Sequence, residues 1–312
     1  MRVLTLTDRS PNYVVAADNA EVLAALPDGA FRLIYLDPPF NTGRTQSRRP
    51  MTATRSATGT RIGFAGRSYD TVRGTVTGYD DVFADYWAFL EPRLEQAWRL
   101  LAPDGTLYLH LDYREVHYAK VLLDALFGRE CFLNEIIWAY DYGARTTRRW
   151  PTKHDNILVY VKDPDHYHFD SAAVDREPYM APGLVTAAKA ARGKLPTDVW
   201  WHTIVSPTGR EKTGYPTQKP EGVLRRIVAA SSAPGDWVLD CFAGSGTLGA
   251  VAEQTGRRYV LVDASADAVA VMRHRLGRGA ADVAFLDWTG AGSRAAAARP
   301  SPGRSPEPGS AG

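Results

Sequence analysis

The sequence predicts an α/β fold built on a mainly parallel sheet, and three observations predict it. Residues 13–17 (YVVAA) are a β-rich run, residues 20–26 suit a helix, and residues 31–36 are a second apolar run, which makes a β-α-β unit. Short apolar runs and amphipathic segments keep alternating along the chain. Late in the chain a buried-type run, WVLDCF at 237–242, enters a glycine loop and then another helical segment.

Each element has its own local reason. Pro27-Asp28-Gly29 ends the first helix. From residue 81 to 101 apolar side chains recur at helical spacing, through Phe83, Tyr86, Phe89, Leu90, Leu94, Trp98 and Leu101, and Pro103-Asp104-Gly105 stops the helix. TLYLHL at 106–111 reads as a strand, 118–127 as a helix stopped by Gly128, and 132–140 and 156–161 as two more strands. Residues 162–214 are polar and irregular. A helix at 221–231, the strand 237–242, the glycine loop with its helix, a strand at 259–263 and a helix at 266–276 follow, then the short run DVAFLDW. No internal repeat is present.

Two segments read differently. Between Arg44 and Arg73 there are seven arginines and one acid, Asp70, in a background of Thr, Ser and Gly. Residues 41–80 are therefore expected to be a mobile, basic loop inserted into the domain. Residues 289–312 are mostly Ala, Gly, Pro, Ser and Arg, too poor in apolar side chains for a core, and a disordered tail is expected. The domain proper is expected to span 1–288.

Composition narrows the class. The 312 residues are 45% hydrophobic and 23% charged, as in ordinary globular domains. A net charge of +2 means that any surface for a polyanion must be local. Cys131 and Cys241 form no CxxC pair, so neither a disulfide framework nor a cysteine zinc site is indicated, and no metal is called for. No run suits a signal peptide or a membrane helix, so a cytoplasmic protein is expected.

VLDCFAGSGT at 238–247 carries the first chemical signal. Gly244 and Gly246 let the backbone turn sharply and approach a ligand, and the next helix offers free N–H groups to an anion. The following strand ends in Asp263, placed where an acid can take both hydroxyls of a ribose. The loop lacks GxGxxG spacing and a Walker lysine, which disfavours a diphosphate. A nucleoside with a carboxylate, such as S-adenosylmethionine, fits better.

Together, DPPFNTG at 37–43, GYPTQKPEGVLRRI at 214–227 and VLDCFAGSGT resemble the β-class S-adenosylmethionine-dependent DNA amino-methyltransferases, in which the catalytic motif precedes the cofactor motif. The resemblance runs from about Asp18 to Asp263. It implies a Rossmann-like, seven-stranded, mostly parallel sheet with one antiparallel strand and a circularly permuted motif order. The strand carrying Asp37 would lie beside the strand carrying Asp240. It also implies a catalytic set of Asp37, Pro38, Pro39 and Phe40. The implied cofactor set is Asp18, Asp37, Thr217, Gln218, Lys219, Asp240, Phe242, Gly244, Ser245, Gly246, Thr247 and Asp263, with Lys219 reaching the cofactor's carboxylate. Cys241 stands where proline is more usual in the family, at a backbone scaffold position.

The chemistry explains the odd run Asp37-Pro38-Pro39-Phe40. An exocyclic amino group is a poor nucleophile because its lone pair is delocalised. Two acceptors aimed at its two N–H bonds, the Asp37 carboxylate and the Pro38 carbonyl, favour the geometry and charge of methyl transfer. The prolines fix φ and hold their neighbours extended. Phe40 offers a face to a base flipped out of the duplex. Arg44, Arg48, Arg49, Arg55, Arg61 and Arg67 are candidates for phosphate contacts. Residues 162–214 correspond to the family's target-recognition region. Their small number implies a short recognition sequence, or help from the first loop or a second subunit, so the expected partners are double-stranded DNA and a homodimer mate. Whether a cognate restriction endonuclease accompanies the chain is left open. Adenine N6 is the expected target. The alternatives are cytosine N4, whose enzymes more often carry Ser at position 37, and a DNA-binding relative without catalysis.

Overall fold

The structure, a computed structural model, describes residues 4–48, 51–55, 61–62, 68–73, 77–81, 83, 85–143, 145–206, 208–277, 279 and 281–288, with backbone only between 44 and 82. The expected tail at 289–312 lies outside the described residues, as do Arg49 and Arg67.

In chain order the elements are β1 (Asn12–Ala16), α1 (Asn19–Ala25), β2 (Phe31–Leu36), β3 (Arg44–Arg48), β4 (Met51–Arg55), β5 (Arg61–Ile62), β6 (Ser68–Arg73), β7 (Thr77–Asp81), α2 (Tyr86–Leu100), β8 (Leu101–Leu111), α3 (Val116–Phe127), β9 (Phe132–Ala139), β10 (His154–Val161), α4 (Ala187–Arg192), β11 (Val199–Trp201), α5 (Glu221–Ser231), β12 (Trp237–Asp240), α6 (Thr247–Gln254), β13 (Arg258–Asp263), α7 (Ala266–Leu276) and β14 (Val283–Asp287).

One nine-stranded sheet, ordered β11-β9-β10-β8-β2-β12-β13-β1-β14, organises the chain. Every neighbouring pair is parallel except those of β10 with β8 and β9, so β10 is the single antiparallel strand. Seven strands were expected. The two additional ones are the short edges β11 and β14, which extend the sheet by pairing with β9 and β1. As expected, β2 and β12 are parallel neighbours, with Val238 opposite Leu33 and Leu239 opposite Ile34.

Strand residues alternate between two apolar layers. Leu107, Leu109, Leu111, Val260 and Val262 face α1, α2 and α3, together with Leu23, Leu90, Leu94 and Leu123. Tyr108, Ile157, Val159, Tyr259 and Leu261 face α5, α6 and α7, together with Leu224, Leu248 and Met272. The sheet is thus buried on both faces, as parallel sheets must be.

Two expectations are corrected. Within residues 41–80, expected to be a loop, the described residues include the strands β3 to β7: β3 pairs with β7, and β6 pairs with β4 and β5, all antiparallel. SYDTVR is half β-branched or aromatic, but RTQSR and MTATR hold only one and two threonines, so little in these two runs marks a strand apart from the pairing itself. Residues 162–214, expected to be irregular, contain α4 and the strand β11. Glu177 bridges Lys194 there, and Arg226 of α5 holds Asp175 and Glu177, each at 2.8 Å. Among the described residues, no helix is long and apolar enough to cross a membrane.

Candidate active site

At the carboxyl ends of β2, β12 and β13 the chain leaves the sheet in loops, and these enclose a cavity of about 310 Å³. Its wall includes Asp37, Pro38, Pro39 and Phe40 after β2, Asp240 to Ser245 after β12, and Asp263 after β13. Asp18, Thr217, Gln218, Lys219 and Thr247 also line it. The three sequence motifs therefore meet in one place, at the switch region where open α/β sheets bind ligands.

The cavity has a closely tied glycine loop. Gly244 has φ +50° and Gly246 has φ +71°, a region that side chains rarely enter. A Cβ on Gly246 would meet Met272 Cγ at 2.7 Å, so Gly246 serves packing behind the cavity rather than its lining. Asp263 accepts hydrogen bonds from the backbone N–H groups of Gly244 and Ser265, each at 2.8 Å. Burial nevertheless raises its pKa above the ordinary carboxylate value. Asp240, 4% exposed, accepts from the Phe242 N–H at 2.9 Å. Burial, reinforced by the nearby charges of Asp37 and Asp263, pushes its pKa well up. Arg275 binds the Ser245 carbonyl and the Thr247 hydroxyl at 3.2 Å each and the Glu221 carboxylate at 2.7 Å, fastening the loop from behind.

Lys219, in the cavity wall, also reaches the DPPF turn. Its ammonium donates to both oxygens of Asp37, at 2.6 and 2.5 Å, and lies 4.9 Å from the centre of the Phe40 ring. Its backbone carbonyl accepts from the Thr247 hydroxyl at 3.1 Å, joining the TQKP turn to α6. Gln218 turns inward, accepting from Thr213 and donating to the Glu211 carbonyl at 2.7 Å. Thr217, at φ +56°, holds the strained corner of that turn. Asp18 caps α1 through the Ala20 N–H and pairs with Arg93 at 3.0 Å.

Several residues of the site were not singled out from sequence. Asn19 donates to the Cys241 carbonyl at 2.7 Å and accepts from Arg93, so the β1 and β12 loops are cross-braced. The signal was present: Arg93 interrupts the apolar stripe of α2 between Leu90 and Leu94, and it is buried. Likewise His110, in the apolar strand TLYLHL, is fully buried. It bonds the Tyr35 hydroxyl through Nδ1 at 2.7 Å and Asp155 through Nε2 at 3.2 Å, and its ring lies 5.8 Å from that of Phe40. Tyr140 donates to the other oxygen of Asp155 at 3.0 Å. Burial would raise the Asp155 pKa, but the His110 contact and the Tyr140 hydrogen bond outweigh it and hold the carboxyl low. Burial, then the charges of Asp37, Asp240 and Asp155, push the Tyr35 hydroxyl well above the usual tyrosine value, so it remains a donor. Of the candidate DNA-contacting arginines, Arg44 and Arg48 lie on β3, Arg55 on β4 and Arg61 on β5; their side chains are outside the described residues, as are Arg49 and Arg67 altogether.

The donor set fits S-adenosylmethionine. A loop glycine at φ +50° borders the cavity, where a Cβ would reach 3.2 Å from Tyr215, and a carboxylate ends the adjoining strand. Comparison with known proteins agrees. A sequence model described as DNA methylase matches residues 31–273. The chain is 28% identical over 265 residues to the type II methyltransferase M.HpaI of Haemophilus parainfluenzae, covering 84% of this chain and 73% of that one. It is 28% identical over 272 residues to the DNA adenine methyltransferase YhdJ of Escherichia coli strain K12, covering 84% and 82%. Among solved structures, the M1.HpyAVI–SAM complex superposes with a TM-score of 0.54 at 20% identity, covering 85% of this chain and 98% of that one. The cytosine-N4-specific PvuII DNA methyltransferase superposes with a TM-score of 0.58 at 16% identity, covering 86% and 87%. With the catalytic-type DPPF turn and the glycine loop converging on one cavity, and the match extending over most of its length, the chain belongs to the DNA methylase family, whose members are S-adenosylmethionine-dependent methyltransferases of DNA.

Proposed function

We propose that the chain methylates the exocyclic N6 amino group of adenine in double-stranded DNA. The observation that carries this reading is an aspartate, Asp37, at the end of β2, ion-paired to Lys219 and bordering the cavity that holds the glycine loop. Bound S-adenosylmethionine supplies an electrophilic methyl group on a sulfonium.

The remaining work falls to the chain. Asp37 and the Pro38 carbonyl accept the two N–H bonds of the amino group and stabilise the positive charge that develops on it. Phe40, backed by His110 and the Lys219 ammonium, stacks on the extracted base. Asp37 takes up the proton released once the methyl group has transferred, while Lys219 holds it in place. Asp263 and the loop at 244–247 hold the nucleoside and amino-acid ends of the cofactor. Arg44, Arg48, Arg49, Arg55, Arg61 and Arg67 supply phosphate contacts, and residues 162–214 read the target sequence. Working as a homodimer would enlarge that small recognition surface.

Asp rather than Ser at position 37 favours adenine, as does the relative described as a DNA adenine methyltransferase. Cytosine N4 is the second reading, supported by the fold shared with the PvuII enzyme. Incubating DNA with the protein and cofactor, digesting it to nucleosides and separating them by chromatography with mass detection decides between the two. N6-methyladenine is expected, and N4-methylcytosine would transfer the same mechanism to the other base.

A further inference from the structure

We propose that the connection between β9 and β10 is a DNA-docking arm, in which Arg145, Arg148 and Arg149 bind backbone phosphates and Trp150 packs against the bases beside the extracted nucleotide. The inference rests on DNA being the substrate, and its fluorescence readout also on adenine being the extracted base.

Position is the first support. β9 runs parallel to β8 and β2, and β10 runs back, so their connection leaves the sheet at the same edge as Asp37. Contacts tie its two ends to the catalytic turn. Tyr140, at the start, donates to Asp155, at the end, at 3.0 Å; Asp155 meets His110 at 3.2 Å; and His110 packs 5.8 Å from Phe40. Below the arm, the Tyr140 N–H donates to the Lys153 carbonyl at 2.9 Å and the Lys153 ammonium to the Asp141 carbonyl at 2.7 Å, which pins its base.

Charge is the second. From Asp141 to Lys153 the sequence holds four basic residues, Arg145, Arg148, Arg149 and Lys153, against one acid, Asp141. The three arginines are exposed, and among the described residues none of them has an acidic partner. Elsewhere in the fold Arg93, Arg226 and Arg275 are all paired. A local excess of unpaired guanidinium groups at the edge bearing the active site suits the phosphate backbone, in a chain whose overall charge is only +2.

The third support is an exposed aromatic surface. Trp150 is 93% exposed and Tyr142 65%. Trp201, 70% exposed, sits opposite Ala139 at the end of β11, beside the base of the arm. An indole left in water next to cations gains most from stacking on a base, which buries its face and leaves the arginines on phosphate. Extracting a nucleotide leaves an unstacked gap that such a side chain can fill.

The test uses the full chain and a duplex of about 30 base pairs with 2-aminopurine at the target position. Arg145→Ala/Arg148→Ala/Arg149→Ala should weaken DNA binding by at least tenfold at moderate salt. It should also flatten the log–log salt dependence by between about 2 and 3, since each lost phosphate contact contributes about 0.9. Trp150→Ala should cut the 2-aminopurine fluorescence rise several-fold while changing the salt dependence little. Affinity for S-adenosylmethionine should stay at the wild-type value in both variants. A triple variant with wild-type DNA affinity and salt slope overturns the proposal, as does one that loses DNA and cofactor affinity together. Wild-type protein that methylates DNA, beside a triple variant that does so equally well, sinks the arm alone; wild-type protein that neither binds nor methylates DNA sinks the functional reading with it.

Discussion

The ammonium of Lys219 lies 2.6 and 2.5 Å from the two carboxylate oxygens of Asp37, joining residues 182 positions apart in the chain. Their side chains are 10% and 16% exposed, so each is the principal compensation for the other's burial. Lys219→Met would leave the Asp37 carboxylate nearly buried without its cation. The expected cost is about 2 kcal/mol of stability, between the values for exposed and fully buried pairs. Methyl transfer at saturating DNA and cofactor should fall by about a hundredfold, and Lys219→Arg should recover part of it. Thermal unfolding and single-turnover rates measure the two effects separately.

The glycine loop gives a purely steric prediction. Gly246→Ala places a Cβ at φ +71° and within 2.7 Å of Met272 Cγ. Both strain and overlap act, so a loss of about 2–4 kcal/mol is expected. Met272→Ala in the same chain should relieve the overlap but not the backbone strain. Denaturant titration of the two single variants and the double variant resolves the two contributions.

Asp240 carries a pH prediction. Its folded pKa is raised, chiefly by burial, so the fold binds its proton more tightly than the unfolded chain does. Its ionisation therefore costs nothing below the ordinary carboxylate pKa. The cost grows as pH rises toward the folded value and then levels off. Asp240→Asn keeps an acceptor for the Phe242 N–H and removes the charge. The variant should unfold at a higher temperature than wild type at pH 7–8, with the gap closing toward pH 4, and it should bind cofactor more weakly. Melting curves across that range check the sign.

His110 links the DPPF turn to β10. His110→Leu strands the Tyr35 hydroxyl and the Asp155 carboxylate inside the fold and removes the ring behind Phe40. The Tyr35 hydroxyl and one oxygen of Asp155, which keeps its bond from Tyr140, lose their partner, at a cost of about 2–5 kcal/mol. Adding Tyr35→Phe and Asp155→Leu should restore much of that stability without restoring methylation. Calorimetry beside a methylation assay distinguishes packing from function.

What the sequence made legible, and what it hid, follows from the reach of each interaction. The places of Asp37, Gly244 and Asp263 at the cavity follow from short local patterns: a strand end, a turn at positive φ, a strand end again. β2, α5 and α7 have the boundaries that their runs predict. Arg93 with Asn19, and His110 with Asp155, depend on contacts 74 and 45 residues apart, which no window of sequence contains. Their only local trace was a polar residue on an apolar stripe. α2 begins later than its apolar pattern because Asp85 caps it, accepting from the Trp87 and Ala88 N–H groups. β11 is three residues long and is a strand only because β9 lies alongside to pair with it. The pairing of Lys219 with Asp37 was hidden because it depends on the TQKP turn, where Gln218 bonds back to Thr213 and Glu211.

Asp37 is central to the proposed reaction, and transfer of labelled methyl groups from S-adenosylmethionine to DNA by Asp37→Ala tests that role most directly. The predicted result is a rate at least a thousandfold below wild type at saturating cofactor, with affinity for the duplex changed by no more than a few fold. A variant that still transfers methyl groups within tenfold of the wild-type rate would contradict the role given to this residue and the mechanism built on it.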